Sequence, residues 1–425
     1  MPSSHSPSRL SVMFDNDHAV ASAGLALVAT LSEKLGLTEA VDELVDVGPF
    51  PGKRVATLVH AMVAGAQCID DADVLRSGST GVVLGHPVMA PSTLGTFLRK
   101  FSFGHLRQLD KLSETMLTRA WGAGAGPGEE SMTIDMDSTI CEVSGKKKHG
   151  AAYGYSKVLG YHPLLATRSE TGEVLHVRFR KGSASSGRGA ERFVRELVGR
   201  CRRAGAAGPL TLRADSGFYS RHVVKACRDH EVAYSITAPQ NPGVKKAISG
   251  IDEGTWTPIE YTDNGEAWVA ETGYGDSHRL IVRRTRLAET QPAFFPVFRY
   301  HAFITNRVGD AVSLDADHRR HAVVELAIRD LKEGSGLSHC PSGDFSANGA
   351  WAVLATLAHN LVRWVTKLGL GIDGPVVMKT VRRRYFAVPG RITRRARRRQ
   401  LHLPTKWPWA EQWTTCFERL CALRT

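Results

Sequence analysis

The chain has 425 residues, 42% of them hydrophobic, which is enough for two or three domains with apolar cores. Its formal net charge is +13 and its isoelectric point is about 9.5. A polyanion such as nucleic acid is the natural partner of this charge, but a solvated basic surface would have the same composition. The seven cysteines are odd in number and never form a C-x-x-C pair, which argues against a disulfide framework and a zinc knuckle.

The N-terminal sequence predicts a protein of the cytoplasm without a membrane partner. The opening MPSSHSPSRLSV lacks the apolar stretch of a signal peptide, and the early apolar run AVASAGLALVATL is too short to span a bilayer. Residues 1–17 are predicted to be a flexible N-terminus.

Residues 18–122 have the apolar periodicity of successive helices and are predicted to form a helical, DNA-binding domain. The helix after Pro91 carries Arg99, Lys100 and Arg107, which could lie in a DNA groove or form an ordinary solvated face, and both remain open. A glycine-rich linker, GAGAGPGEE, follows.

From Ser131 the apolar period changes to two, which predicts β-strands in a mixed α/β domain made of residues 131–240 and 297–370. Residues 241–296 are rich in predicted strands and interrupt this pattern as an insertion. A helix over residues 317–332 and a long apolar helix come after the insertion. Residues 371–425 form a basic C-terminal segment predicted to contact DNA.

Three acidic residues stand where a two-metal phosphoryl-transfer site needs them. Asp137 closes the strand MTIDMDST, Asp215 closes the strand LTLRADSG, and Glu325 lies in the helical stretch VVELAIRDLK. Carboxylates at strand ends can hold two divalent cations for attack on a phosphodiester. Each could also simply cap a turn. Asp135 shares the face of Asp137, so periodicity leaves it open as an alternative first ligand.

The helix around Glu325 is predicted to place five polar side chains on one face, because they recur at steps of three and four residues. They are His318, His321, Glu325, Arg329 and Lys332. A structural interpretation makes Glu325 and Arg329 an exposed ion pair. A functional one makes the glutamate a metal ligand and the cations clamps on DNA phosphates.

Nine arginines lie between Val381 and Gln400, a run typical of surfaces that contact nucleic acid. Arg394, Arg395 and Arg398 are the candidate phosphate contacts. A disordered solubilising stretch is the alternative, but the interleaved Tyr385 and Ile392 favour a segment that packs.

These stretches, together with GAAYGYSKVLGYHPLLA, YHAFITN and LAHNLV, resemble a DDE transposase of a bacterial insertion sequence, of the cut-and-paste type. The resemblance implies a ribonuclease-H-like mixed sheet flanked by helices and interrupted by the β-rich insertion. It also implies two Mg²⁺ ions, with Mn²⁺ as a possible substitute, bound by Asp137, Asp215 and Glu325. The implied partners are the terminal inverted repeats and target DNA, bound by a homodimer associated with the nucleoid.

Related transposases carry a tyrosine, arginine, glutamate and lysine signature around the glutamate, and only part of it is present here. Lys332 matches, whereas His318 and His321 take the tyrosine and arginine places, with Arg319 and Arg320 beside them as possible substitutes. The resemblance also suggests that Trp256 or Trp268 stacks on a flipped base, although each could be a β-core aromatic. A nuclease or resolvase without strand transfer, and a non-catalytic DNA-binding regulator, remain alternatives.

Overall fold

The computed structural model describes residues 7–145, 147–261, 265–275, 278–287 and 298–424. Residues 1–6 of the predicted flexible N-terminus lie outside the described residues. Within the described ones, Pro7–Arg9 form a 3₁₀ turn, and residues 10–16 are exposed and without regular structure. None of the helices in this described part of the chain is both long and apolar enough to cross a membrane.

A short strand and six helices precede the linker. The strand is β1 (Ala19–Val20), and the helices are α1 (Leu25–Lys34), α2 (Leu37–Leu44), α3 (Pro51–Ala64), α4 (Thr80–Leu84), α5 (Pro91–Arg99) and α6 (Phe103–Ala120). Proline at the first position of α3 and α5 and a capping box between Ser102 and His105 in α6 mark where these helices begin.

Twelve strands and three helices follow in chain order. They are β2 (Met132–Ser138), β3 (Cys141–Glu142), β4 (Ala152–Tyr153), β5 (Leu159–Tyr161), β6 (Leu164–Arg168), β7 (Val174–Arg178), α7 (Ala190–Ala204), β8 (Leu210–Ala214), α8 (Arg221–Asp229), β9 (Ala233–Ala238), α9 (Pro242–Ser249), β10 (Thr257–Ile259), β11 (Gly265–Tyr274), β12 (His278–Leu287) and β13 (Arg299–Thr305).

Nine of these strands form one mixed sheet, in the order β10-β11-β12-β13-β9-β8-β2-β6-β7. Strands β2, β8 and β9 are parallel, whereas β6 pairs antiparallel with β2, and β7 pairs antiparallel with β6. The order β7-β6-β2-β8-β9 is that of a ribonuclease-H-like sheet, so the predicted fold class is confirmed. A separate small sheet, β3-β5-β4, follows the end of β2.

The predicted insertion supplies strands to the same large sheet. Strands β10, β11 and β12 pair in antiparallel succession and join the core through β13 and β9. Residues 262–264, 276–277 and 288–296 of this segment lie outside the described residues. The described part of the insertion therefore extends the large sheet at one edge.

The prediction of one continuous helix over residues 317–332 is wrong. Helix α10 (Ala311–Arg319) ends at a 3₁₀ turn over Arg320–Ala322, and α11 (Val323–Gly334) begins directly after it. The break rotates the two halves relative to each other, so His318 is buried while Glu325 is exposed. In one straight helix, residues seven apart would share a face.

Helix α12 (Phe345–Trp364) is the central packing element, and nearly all of its residues are buried. It contacts α3, α5 and α6 on one side and β7 on the other. Because the helix is apolar on all sides, it must be enclosed in this way to be stable in water. The N-terminal helices and the large sheet consequently share one apolar core.

The basic C-terminal segment is folded. It contains α13 (Met378–Val381), the hairpin β14 (Gly390–Arg395) and β15 (Arg398–His402), and α14 (Ala410–Ala422). Strand β14 pairs with β1, and α14 packs against α1, so the two ends of the described chain form one unit. Ala396 and Arg397 make the hairpin turn, both at positive φ.

We expect Gly24→Ala to destabilise the junction between the two ends of the chain. A Cβ at this position would lie 1.8 Å from the carbonyl oxygen of Tyr385, a backbone atom that cannot move alone. The free energy of unfolding, measured by denaturant titration, should fall by about 1–3 kcal/mol. The control is Gly122→Ala, where a Cβ meets nothing within 4 Å. Equal effects of both substitutions would contradict the packing described.

Candidate active site

Two parallel strands bring Asp137 and Asp215 to the same edge of the sheet. Asp137 lies near the end of β2, and Asp215 directly follows β8. The two strands are neighbours, with Met136 opposite Ala214. Since parallel strands point their carboxyl ends the same way, the sequence pattern of a strand followed by an aspartate is enough to place both acids together.

Glu325 completes the acidic group from the first turn of α11, which contacts β2. The pKa of Asp137 is raised from its ordinary 3.8 to about 6, mainly by burial and also by the negative charges of Asp215 and Glu325, whereas the hydrogen bond from the Ser138 amide and the nearby His321 lower it. Burial likewise raises the pKa of Asp215. The three predicted carboxylates are thus close enough to repel one another.

The donor set fits divalent cations. Each aspartate accepts one backbone hydrogen bond, from the Ser138 amide to Asp137 at 2.6 Å and from the Gly217 amide to Asp215 at 3.0 Å. Across the described ranges, no ion pair to Asp137, Asp215 or Glu325 is present. Carboxylate oxygens without a cation partner are what Mg²⁺ or Mn²⁺ requires.

The three acids are not the most compact group of metal-ligating side chains among the described residues. In the described residues, the one group of three metal-ligating side chains within 4.8 Å of one another is Asp110, His176 and Glu196. The acids at the sheet edge are therefore more widely spaced.

The group at Asp110, His176 and Glu196 is an ion-pair network. Asp110 is 2.5 Å from Arg200, and Glu196 contacts Arg178 and Arg192. His176 lies between the two carboxylates, at 3.3 and 3.4 Å. Guanidinium groups already neutralise both acids. This group is therefore better explained as an ion-pair network that connects α6, β7 and α7 than as a metal site.

Asp135, the alternative first ligand, is committed to a buried ion pair. Its side chain is 1% exposed, and its two oxygens each lie 2.8 Å from nitrogens of the Arg213 guanidinium. Arg213 is its register partner on β8. The same carboxylate accepts a hydrogen bond from Nδ1 of His321 at 2.8 Å. With both oxygens engaged by cations, Asp135 fits a structural role.

His321 is the additional residue that the structure brings to the site. Its charge lowers the pKa of both Asp137 and Asp215, so the ring lies close to the acids. The bond from Nδ1 to Asp135 fixes the ring and leaves Nε2 for other contacts. The sequence already placed His321 on the predicted helix face of Glu325 and at the arginine place of the signature, but it gave no indication of the contact with Asp135.

The other candidates on α10 and α11 divide into buried and exposed groups. His318 is 3% exposed, stacks on Phe303 at 4.1 Å and hydrogen-bonds to Ser235, so its predicted place on the phosphate-binding face is wrong. The remaining candidates are Arg319 and Arg320, paired with Asp315 and Asp317 respectively, the exposed Arg329, and the half-buried Lys332.

The insertion tryptophans surround a buried arginine. The guanidinium carbon of Arg284 lies 4.3 Å from the ring centre of Trp256 and 5.2 Å from that of Trp268. Arg284 also pairs with Glu253 at 2.8 Å. Cation–π contact with Arg284 therefore covers one face of each ring that the resemblance assigned to base stacking, so a base could not stack on that face unless Arg284 moved away.

The hairpin arginines are exposed. Arg394 and Arg395 lie on β14 and Arg398 on β15, with Arg394 opposite Arg399 and Arg395 opposite Arg398. Like charges directly opposite each other destabilise a strand pair. The repulsion between these closely spaced arginines decreases when an anion binds across the two strands.

We expect Asp135→Asn to destabilise the protein and Asp137→Asn not to do so. Removing the Asp135 charge leaves Arg213 buried without its counter-ion, a loss of about 3–5 kcal/mol in the free energy of unfolding. Thermal and denaturant unfolding of the two variants in chelator measure the difference. If Asp135→Asn were as stable as the native chain, the structural role assigned to Asp135 would be wrong.

We also expect the metal-free protein to lose stability between about pH 4 and pH 6 through Asp137. Its pKa is raised to about 6 in the folded chain, so the native state binds more protons than the unfolded state in this window. Stability from this group is present at low pH and declines as pH rises. Asp137→Asn should therefore gain up to ~3 kcal/mol over the native chain between pH 4 and pH 7. Denaturant titrations in chelator at both pH values measure this gain. A difference in unfolding free energy between the two chains that is the same at both pH values would contradict the prediction.

Comparison with known proteins identifies the family of the chain. The family model described as "Transposase DDE domain group 1" matches residues 3–425. No curated protein matches the chain. Among solved structures, it is similar to piggyBac transposase in a synaptic complex with hairpin DNA, with a TM-score of 0.41 and 14% identity over 86% of this chain and 79% of that chain. Because the family model spans nearly the whole sequence, the chain belongs to the DDE transposase family.

Proposed function

We propose that the protein is a DNA transposase of an insertion sequence. It binds the terminal inverted repeats, cleaves at the element ends and transfers the resulting 3′-hydroxyl to target DNA. The observation that carries the proposal is the convergence of Asp137, Asp215 and Glu325, whose mutual repulsion contributes to the raised pKa of Asp137. Such a group of acids is costly to keep without cations, which supports a functional rather than a structural role.

Asp137, Asp215 and Glu325 would hold two Mg²⁺ ions, or Mn²⁺ in their place. When bound, such ions supply Lewis-acid stabilisation and activate the attacking oxygen. The fixed backbone amides of Ser138 and Gly217 orient the two aspartates before any ligand arrives. Asp135 is not a ligand in this proposal.

Cationic side chains around the acids would position the DNA. Arg329 follows Glu325 by one helical turn and is exposed, so it can reach a phosphate beside the scissile one. His321, held by Asp135, is a second donor close to the acids. Lys332 lies seven residues after Glu325 on the same helix, α11, which contacts β2.

The hairpin arginines Arg394, Arg395 and Arg398 would contact the DNA backbone away from the acids. Arg319 and Arg320 are available for the same role because their acidic partners leave donors free. The proposed contacts leave out Trp256 and Trp268, whose rings each have one face covered by Arg284. Joining two element ends requires two active sites, so the protein would act as a homodimer on DNA, in the nucleoid.

Substitution of the three acids should abolish catalysis and leave DNA binding intact. We expect Asp137→Asn, Asp215→Asn and Glu325→Gln each to lower Mg²⁺-dependent end cleavage by at least about 10²–10³-fold, because each removes charge that stabilises the transition state. Cleavage is measured on inverted-repeat DNA, and binding by gel shift in chelator. The matched control is Glu333→Gln, an exposed glutamate on the same helix.

The alternatives predict different results in the same assays. A DNA-binding regulator would show no metal-dependent cleavage in the native chain. A nuclease without strand transfer would hydrolyse DNA but fail to join a pre-cut 3′-hydroxyl end to a target plasmid. Joined product from the pre-cut end, absent in Asp215→Asn, is the result that the transposase proposal requires.

Replacing Arg394, Arg395 and Arg398 together with alanine should weaken DNA binding mainly through electrostatics. The slope of log affinity against log salt should become shallower by about 0.9 for each arginine that contacts a phosphate. Fluorescence anisotropy over a salt series measures this slope. A triple lysine variant keeps the charge and should largely retain the slope. An unchanged slope in the alanine variant would exclude the hairpin from the DNA interface.

A further inference from the structure

Three side chains outside the acidic group connect the strand ends that carry Asp137 and Asp215. The hydroxyl of Ser138 lies 2.9 Å from Nε2 of His162 and 3.1 Å from the hydroxyl of Ser186. Nδ1 of His162 lies 2.7 Å from the carbonyl oxygen of Ala184. His162 is buried where the chain leaves the small sheet, between β5 and β6.

The directions of these hydrogen bonds follow from the one fixed acceptor. A carbonyl oxygen can only accept, so Nδ1 of His162 carries a proton and donates to Ala184. In the neutral ring Nε2 is then an acceptor, and the Ser138 hydroxyl donates to it. Burial lowers the pKa of His162, which favours that neutral ring. The Ser138 oxygen remains free to accept a hydrogen bond from Ser186.

Each end of this network reaches one of the aspartates. Ser138 also donates its backbone amide to Asp137. On the other side, a Cβ built on Gly217 would lie only 2.8 Å from Cβ of Ser186, so Ser186 packs directly on the turn whose amide orients Asp215. The two aspartates are therefore linked through Ser138 and Ser186.

The loop that carries Ser186 is itself anchored to the His162 backbone. The buried Arg180 donates from Nε to the carbonyl oxygen of His162 at 2.9 Å. Its Nη1 lies 2.8–3.1 Å from the carbonyl oxygens of Ser185, Ser186 and Arg188. Backbone and side chain of the His162 segment thus hold the same loop from two directions.

We propose that His162 is a positioning residue for the metal site: through Ser138 and Ser186 it sets the separation of the Asp137 and Asp215 carboxylates. The inference rests on the proposed function, because it assumes that these aspartates bind divalent cations. Groups that orient metal ligands typically change metal affinity about 10–100-fold when removed. A role in folding alone would change stability and leave affinity for the metal unchanged.

The test is Mn²⁺ binding to the full-length protein without DNA, followed by the loss of the free-ion electron paramagnetic resonance signal. We expect Ser138→Ala and His162→Leu to weaken Mn²⁺ binding about 10–100-fold. His162→Gln, which restores an acceptor for the Ser138 hydroxyl, should recover most of the affinity. Unfolding temperature and DNA binding in chelator are measured in parallel to show that the variants are folded.

Ser32→Ala is the matched control, because Ser32 forms a similar buried pair with His60, at 3.2 Å, in the helical N-terminal part. It should leave Mn²⁺ binding unchanged. If His162→Leu does not fold, the Mn²⁺ affinities of Ser138→Ala and of Ser186→Ala, which changes a partly exposed residue, test the inference. Native affinity in folded Ser138→Ala and Ser186→Ala would overturn the inference. If native protein and Asp137→Asn bind Mn²⁺ equally, the proposed function fails instead.

Discussion

The buried ion pair between Asp135 and Arg213 is the interaction on which the site depends. It joins β2 to β8 in register, and the same guanidinium donates to the hydroxyl of Ser169 and to the backbone of Asp317 on α10. Because a buried charge without its partner is very unfavourable, only the arrangement that satisfies all these contacts is stable. Fixing α10 against the sheet in turn determines where α11 begins, and so where Glu325 lies.

The acidic side chains around this ion pair form two layers: a lower one within the fold, which contains Asp135, and an upper one at the edge of the sheet, which contains Asp137. In the lower layer, Asp135 is neutralised by Arg213 and accepts a hydrogen bond from His321, and Asp317 is neutralised by Arg213 and Arg307. In the upper layer, Asp137, Asp215 and Glu325 have no such partners within the described residues. Because the acids of the lower layer are neutralised, the excess negative charge is confined to the upper layer at the sheet edge. Cations can reach it there, which reduces its cost to the stability of the fold.

Sequence periodicity predicted the parts of this arrangement that depend on local pattern. Strand-end positions for Asp137 and Asp215 follow from the alternation in β2 and β8, and a mixed α/β sheet follows from the order of elements, whereas the ribonuclease-H-like fold was implied by the family resemblance. Periodicity could not separate Asp135 from Asp137, because residues two apart share a face and only the partner strand distinguishes them. The break at Arg320–Ala322 and the pairing of β14 with β1 depend on packing between segments far apart in sequence.

The order of charges outward from the sheet also constrains how DNA and metal would bind. A phosphate approaching the sheet edge meets the negative charge of Asp137 and Asp215, although Arg329 and the hairpin arginines would attract the flanking backbone. Divalent cations between carboxylates and phosphate remove this repulsion. The proposed metal and DNA sites are therefore thermodynamically coupled: each ligand should bind more tightly when the other is present, by the same factor. In the proposed site, the arginines alone would hold DNA on the protein, but the acids would admit the scissile phosphate only together with the metal.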